Sequence, residues 1–153
     1  MRILLTANAS YVPPRGGATR SNLIWLDQMA RGGHACRIVC GASGGGPDGG
    51  GEGAPLGYHE SIKVYAVEDP ARRLQTLRQQ IREFRPDWVL VSSEDLGHRL
   101  LREAQQGAPG RVVYLAHTPQ FFPFGPASWN PDRQGAELVA QAAAIVAIGR
   151  HMA

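Results

Sequence analysis

The chain has 153 residues, 43% of them hydrophobic and 19% charged, enough for one hydrophobic core and too few for two full domains. Its formal charge of +3 comes almost wholly from arginine, Lys63 being the sole lysine, and so mild an excess is not the footprint of a nucleic-acid-binding surface. No apolar run approaches the ~18 residues of a membrane span, and Met1–Thr6 is too short for a signal peptide, so a soluble cytoplasmic protein is expected, with membrane contact at most peripheral.

Residues 2–6 form a continuous apolar run, the pattern of a strand buried on both faces. A loop containing Pro13, Pro14, Arg15, Gly16 and Gly17 follows, and then Leu23, Leu26 and Ala30 recur at helical spacing, with Ile24 and Met29 widening the stripe, until Gly32 and Gly33 stop the helix. Residues 35–40 read as a second strand. Cys36 and Cys40 lie on one face of it, ~13 Å apart, too far for a disulfide and without partners at zinc-ligand spacing. Reduced, buried thiols fit a cytoplasmic protein. The stretch 41–57 is dominated by glycine and reads as a flexible loop with no capacity for a packed core.

Residues 62–67 suit a third strand near the sheet edge. Pro70 opens a helix in which Leu74, Leu77, Ile81 and Phe84 make the cleanest helical stripe in the chain; Arg72, Arg73, Arg78 and Arg82 are assigned to its solvated face. Residues 88–91 read as a fourth strand, Leu96, Leu100, Leu101 and Ala104 as a helix, and 111–116 as a fifth strand. Pro131 is expected in the first turn of a helix through Ala136, Val139 and Ala143, and residues 145–148 as a sixth strand. Alternation of short apolar strands with amphipathic helices predicts a single α/β domain: a Rossmann-like, doubly wound parallel sheet of about six to seven strands, helices on both faces, in the order 3-2-1-4-5-6.

Ligands of such sheets bind outside the carboxyl ends of the strands, near the point where strand order reverses. Four loops qualify: 7–19, 92–95, 117–129 and the segment from Gly149. In the first, Gly16 and Gly17 precede a helix whose leading amides have no internal acceptor, so an anion or a sugar hydroxyl can approach the backbone. Arg15, Arg20 and Asn22 stand ready to add polar contacts. His117 and Thr118 place an imidazole and a hydroxyl at the crevice mouth, where a neutral ring can orient a hydroxyl. Phe121, Phe122 and Phe124 either pack beneath the crevice or form an apolar lip. Glu94 is a candidate general base, and Asp95 a cap for the helix that follows.

The run from Arg2 to Thr6, the Pro-Pro-Arg-Gly-Gly-Ala-Thr-Arg turn, the helix ending at Ala30 before Arg-Gly-Gly-His-Ala, Arg85-Pro-Asp-Trp-Val-Leu, His117-Thr-Pro and Ala144-Ile-Val-Ala-Ile-Gly-Arg together resemble the N-terminal half of two-domain GT-B glycosyltransferases, close to the retaining family 4 group. The resemblance spans essentially the whole chain. It implies an acceptor-binding half that works with a C-terminal, donor-binding half carrying a Glu-x7-Glu motif. By position it implies that Gly16 and Gly17 approach the donor diphosphate, that His117 contacts the donor sugar near the reacting carbon, and that Thr118 lies beside the acceptor. A nucleotide-sugar and a hydroxyl acceptor are the implied substrates, with no further cofactor and no metal. The chain ends at Ala153 without the Glu-x7-Glu half, and its last strand ends in Gly149-Arg150 where relatives often carry a serine; the 153 residues are therefore expected to be inactive alone.

A non-enzymatic Rossmann-like module binding a nucleotide, a sugar phosphate or a protein partner accounts for the same fold. An NAD(P) oxidoreductase is disfavoured, because the Gly-x-Gly-x-x-Gly fingerprint and the acidic residue ending the second strand are missing.

Overall fold

The computed structural model describes residues 1–42 and 57–147. Within them one sheet of six parallel strands runs in the order β3-β2-β1-β4-β5-β6: β1 (Arg2–Ser10), β2 (Ala35–Gly41), β3 (Lys63–Ala66), β4 (Trp88–Ser92), β5 (Val112–Ala116) and β6 (Ala144–Ala147). Four α-helices connect them: α1 (Gly17–Arg31), α2 (Pro70–Phe84), α3 (Arg99–Gly107) and α4 (Arg133–Ala140). The strand order matches the one expected from the alternation of strands and helices. Most of the glycine-rich stretch, and the end of the sixth expected strand at Ile148, lie outside the described residues.

Period-2 alternation along the strands divides the core into two layers. Ile3, Leu5 and Ala7 of β1 join Cys36, Ile38 and Cys40 of β2, Leu90 and Leu115 against Leu23, Leu26 and Ala30 of α1. Leu4, Val39, Val89, Val91, Val112 and Tyr114 face the other way, against Leu77, Ile81 and Phe84 of α2, Leu100, Leu101 and Ala104 of α3, and Val139 of α4. Helices thus cover both faces, α1 on one and α2–α4 on the other. Cys36 and Cys40 are buried, free thiols in the α1 layer.

The helix ends follow local chemistry. Asp69 caps α2 by accepting from the Arg72 amide, and Pro70 occupies the first helical position, where a missing N–H costs nothing. Arg85, left-handed at φ 49°, closes α2 before Pro86. Asp132 caps α4 through the Gln134 and Gly135 amides; Pro131 therefore precedes the cap instead of opening the helix.

Several assignments change. β1 runs four residues beyond the apolar run, to Ser10, with its pairing to β2 interrupted between Thr6 and Ser10. Ile24 and Leu96 are exposed and stand outside the helical stripes. Arg73 is buried, not solvated, because it falls four residues before Leu77 on the inward face of α2.

Candidate functional site

Strand order reverses between β1 and β4: the chain leaves β1 for one side of the sheet and returns through β4 on the other. Three turns leave the carboxyl edge from neighbouring strands, residues 11–16 after β1, 93–98 after β4 and 117–132 after β5.

The first turn is held firmly and left open at its tip. Tyr11 is fully buried, and its hydroxyl oxygen accepts a 2.8 Å bond from the amide of Asn22, itself buried in α1. Thr19 Oγ1 donates to the carbonyls of Arg15 (2.7 Å) and Gly16 (3.0 Å). Gly16 sits at φ 89°, ψ 170°, a region essentially restricted to glycine. Gly16 and Gly17 are exposed, with open space where a side chain would project. Among the described residues no side chain caps α1, so its leading amides face the edge at the positive end of the helix dipole. Arg15 and Arg20 are exposed beside them.

The second turn is closed. Asp95 Oδ2 accepts from the Leu100 and Leu101 amides at the head of α3, at 2.8 and 3.3 Å, the capping role read from sequence. Burial pushes its carboxyl above the ordinary aspartate range. Glu94 is half-buried and likewise shifted upward by desolvation. A pocket of about 210 Å³ opens beside this turn, lined by Asn8, Pro70, Leu74, Asp95, Arg99 and Leu100.

The third turn begins at His117, which the structure places inside the rim instead of at an open mouth: the residue is 6% exposed. Its backbone N–H donates to Ser93 Oγ at 3.0 Å, tying the second and third turns together. Both ring nitrogens are buried and have no partner among the described residues. Burial lowers the imidazole's affinity for a proton, so the ring is neutral at physiological pH. Ser92 and His117 continue the alternation of Leu90 and Leu115 and therefore lie on the α1 side of the sheet. Ser92 Oγ is buried there and likewise has no partner among the described residues. Thr118 is half-buried in extended backbone, and its carbonyl accepts from the Phe121 amide in a short 3₁₀ turn. The phenylalanines divide between the two expected roles. Phe122 is buried against Tyr114, with ring centroids 6.3 Å apart, whereas Phe124 is exposed, and Trp129, packed edge-on against Phe121, is more exposed still.

The edge thus carries Gly16 and Gly17 on the turn after β1 and His117 and Thr118 on the turn after β5, with the Glu94 turn of β4 between them and Arg20 at the margin. Asn22 stays in the core, where its amide positions Tyr11. Sequence reasoning passed over Asn8, Arg73 and Ser93. Arg73 and Asn22 carried a signal, since both fall on the buried stripes of their helices; Asn8 carried none. Among the described residues, no three His, Cys, Asp or Glu side chains are grouped to hold a metal ion, and no helix is long and apolar enough to cross a membrane.

Fold and edge define a doubly wound α/β domain whose reversal point presents free helix amides and an unpartnered imidazole. The model of glycosyltransferase family 4 matches residues 15–153, and the chain belongs to that family. No curated protein sequence gives a match. Among solved structures, the DNA/pantothenate metabolism flavoprotein of Streptococcus pneumoniae is similar, with a TM-score of 0.56 and 10% identity over 96% of this chain and 80% of that one; at that identity the likeness is one of fold.

Proposed function

We propose that this chain is the N-terminal, acceptor-binding half of a retaining glycosyltransferase that moves a sugar from a nucleoside diphosphate donor to a hydroxyl acceptor. Family membership supports the transferase class. The observation that carries the site is His117: a neutral imidazole, buried, with both ring nitrogens unpartnered among the described residues. Leaving such a group unpaired costs about 1–3 kcal/mol, an expense that a sugar hydroxyl docked at the edge would relieve.

In this reading the amides of Gly17 and Ala18 approach the diphosphate, Arg20 adds charge at the rim, and His117 fixes a donor-sugar hydroxyl near the anomeric carbon. Thr118 and Glu94 line the acceptor side. The bond from the anomeric carbon to the diphosphate oxygen breaks as the bond to the acceptor oxygen forms, and the acceptor proton leaves with the diphosphate. Preorganised donors at the diphosphate are worth most in the transition state, where negative charge grows. The other substrate contacts come from a donor-binding half, so residues 1–153 alone turn over no donor.

The test is to incubate the intact protein with uridine-, guanosine- and adenosine-diphosphate sugars together with a panel of hydroxyl acceptors (sugars, polyols and lipid alcohols), following nucleoside diphosphate release and the anomeric configuration of the glycoside formed by NMR. Release with retained configuration is expected. Binding of nucleotides without release from any donor would favour a non-enzymatic module instead.

A further inference from the structure

β1 departs from regular pairing just where strand order reverses. Between Thr6 and Ser10 the register with β2 slips, and the intervening bulge turns Asn8 out of the ladder. Bulges of this kind re-aim a side chain at the price of local pairing. The bulge depends on residue 41: a Cβ on Gly41 would collide with the Asn8 carbonyl oxygen.

The amide that the bulge presents is fixed in orientation. Its Oδ1 accepts from Arg73 Nη1 at 2.6 Å, so Nδ2 must face the opposite way, and there it donates to Asp95 Oδ1 at 3.0 Å and to the Glu94 carbonyl at 3.3 Å. Arg73 is buried, with no carboxylate of the described residues at bonding distance. Its other donors go to the carbonyls of Val67 (3.1 and 2.9 Å) and Glu68 (2.9 Å), so the guanidinium spans the β3–α2 connection and Asn8. One amide therefore joins the bulge of β1, the head of α2 and the turn between β4 and α3.

We propose that Asn8 is a positioning residue: its amide, oriented by Arg73, holds the Glu94–Asp95 turn so that Glu94 and the Ser93–His117 link keep their places along the cleft. This rests on the reading of that edge as the glycosyl-transfer cleft. The bond to Asp95 serves the cap of α3, while the bond to the Glu94 carbonyl serves the edge, and the two can be separated. In an Asn8→Asp/Asp95→Asn exchange, residue 8 still accepts from Arg73. The new amide at 95 donates to it while its oxygen caps α3, since Asn and Asp cap equally well. No donor then faces the Glu94 carbonyl.

The experiment compares Asn8→Ala and the exchange with wild type in the intact protein, using amide hydrogen exchange, melting temperature and kcat/KM with the diphosphate sugars above. For Asn8→Ala, exchange at the amides of Asp95 and His98 should quicken at least tenfold, with kcat/KM falling at least tenfold. The exchange variant should regain the melting temperature and the protection of the Leu100 amide, but neither kcat/KM nor protection at Asp95. Recovery of all four would overturn the proposal, as would Asn8→Ala leaving protection at Asp95 and His98 unchanged. A wild-type protein that moves no sugar would count against the functional reading, and the clamp would then stand or fall on the exchange rates.

Discussion

The two sides of the sheet's carboxyl edge are finished in opposite ways. On the α2–α3 side, Asn8, Arg73 and Asp95 satisfy one another and the head of α3. On the α1 side, helix amides are uncapped and the nitrogens of His117 have no partner among the described residues. Among the described residues, buried polar atoms without partners occur on both sides, Thr6 Oγ1, Tyr114 Oη and His98 Nδ1 lying on the α2–α4 side; what sets the α1 side apart is that its imidazole shares an edge with an exposed glycine turn and uncapped helix amides, where a ligand can reach the backbone. The contrast extends to glycine. Gly41 is required for space, because the Asn8 carbonyl fills the place of its side chain, whereas Gly16 has open space and is required for its backbone angles.

Substitutions at these two glycines should therefore fail differently. Gly41→Ala is expected to cost the most stability, about 3 kcal/mol, the upper end of what overpacking a close contact entails, read as a lower urea midpoint with an unchanged m-value. Gly16→Val has no clash to relieve, only a forbidden conformation, and should cost about 1–2 kcal/mol while lowering kcat/KM for the diphosphate sugars at least tenfold. Equal stability losses with unaltered turnover would erase the distinction between the two sides.

A smaller effect separates the sides by pH. The folded-state proton affinity of His117 lies below its unfolded value of 6.5, so the unfolded chain binds more protons as the pH falls through that value. The histidine's contribution to stability is therefore complete above about pH 6.5 and is lost on acidification. Glu94 and Asp95 have raised affinities and act in the opposite sense, weakening the fold as pH rises through the carboxylate range. His117→Gln should flatten the loss between pH 7 and 5 in denaturation midpoints while leaving the carboxylate limb in place. A wild-type slope retained in the variant would assign the acid sensitivity to another group.

Much of this architecture was legible in the sequence because short strands buried on both faces announce themselves as apolar runs, and the helices between them carry clear stripes, Leu77, Ile81 and Phe84 above all. The strand order followed from that alternation and from the reversal rule. The capping of α3 by Asp95 was legible as well. The α2–α3 side of the edge was not. Thr6 and Asn8 interrupt the apolar run of β1, so the strand looked finished at Thr6, and a bulge leaves no mark in residue type. Arg73 looked solvated because arginine is usually exposed, although its spacing from Leu77 pointed inward. His117 was recognised from its place after β5, but its burial depends on tertiary packing that periodicity does not report.

The claim that the α1 side is the reacting wall is tested most directly at His117 itself. In the intact protein, His117→Ala should lower kcat/KM with the diphosphate sugars by about a hundredfold, the scale of losing one preorganised transition-state contact, with the melting temperature equal to or above that of wild type, since the substitution removes an unsatisfied buried group. Turnover within twofold of wild type, or a loss of turnover that merely tracks a fall in melting temperature, would contradict it.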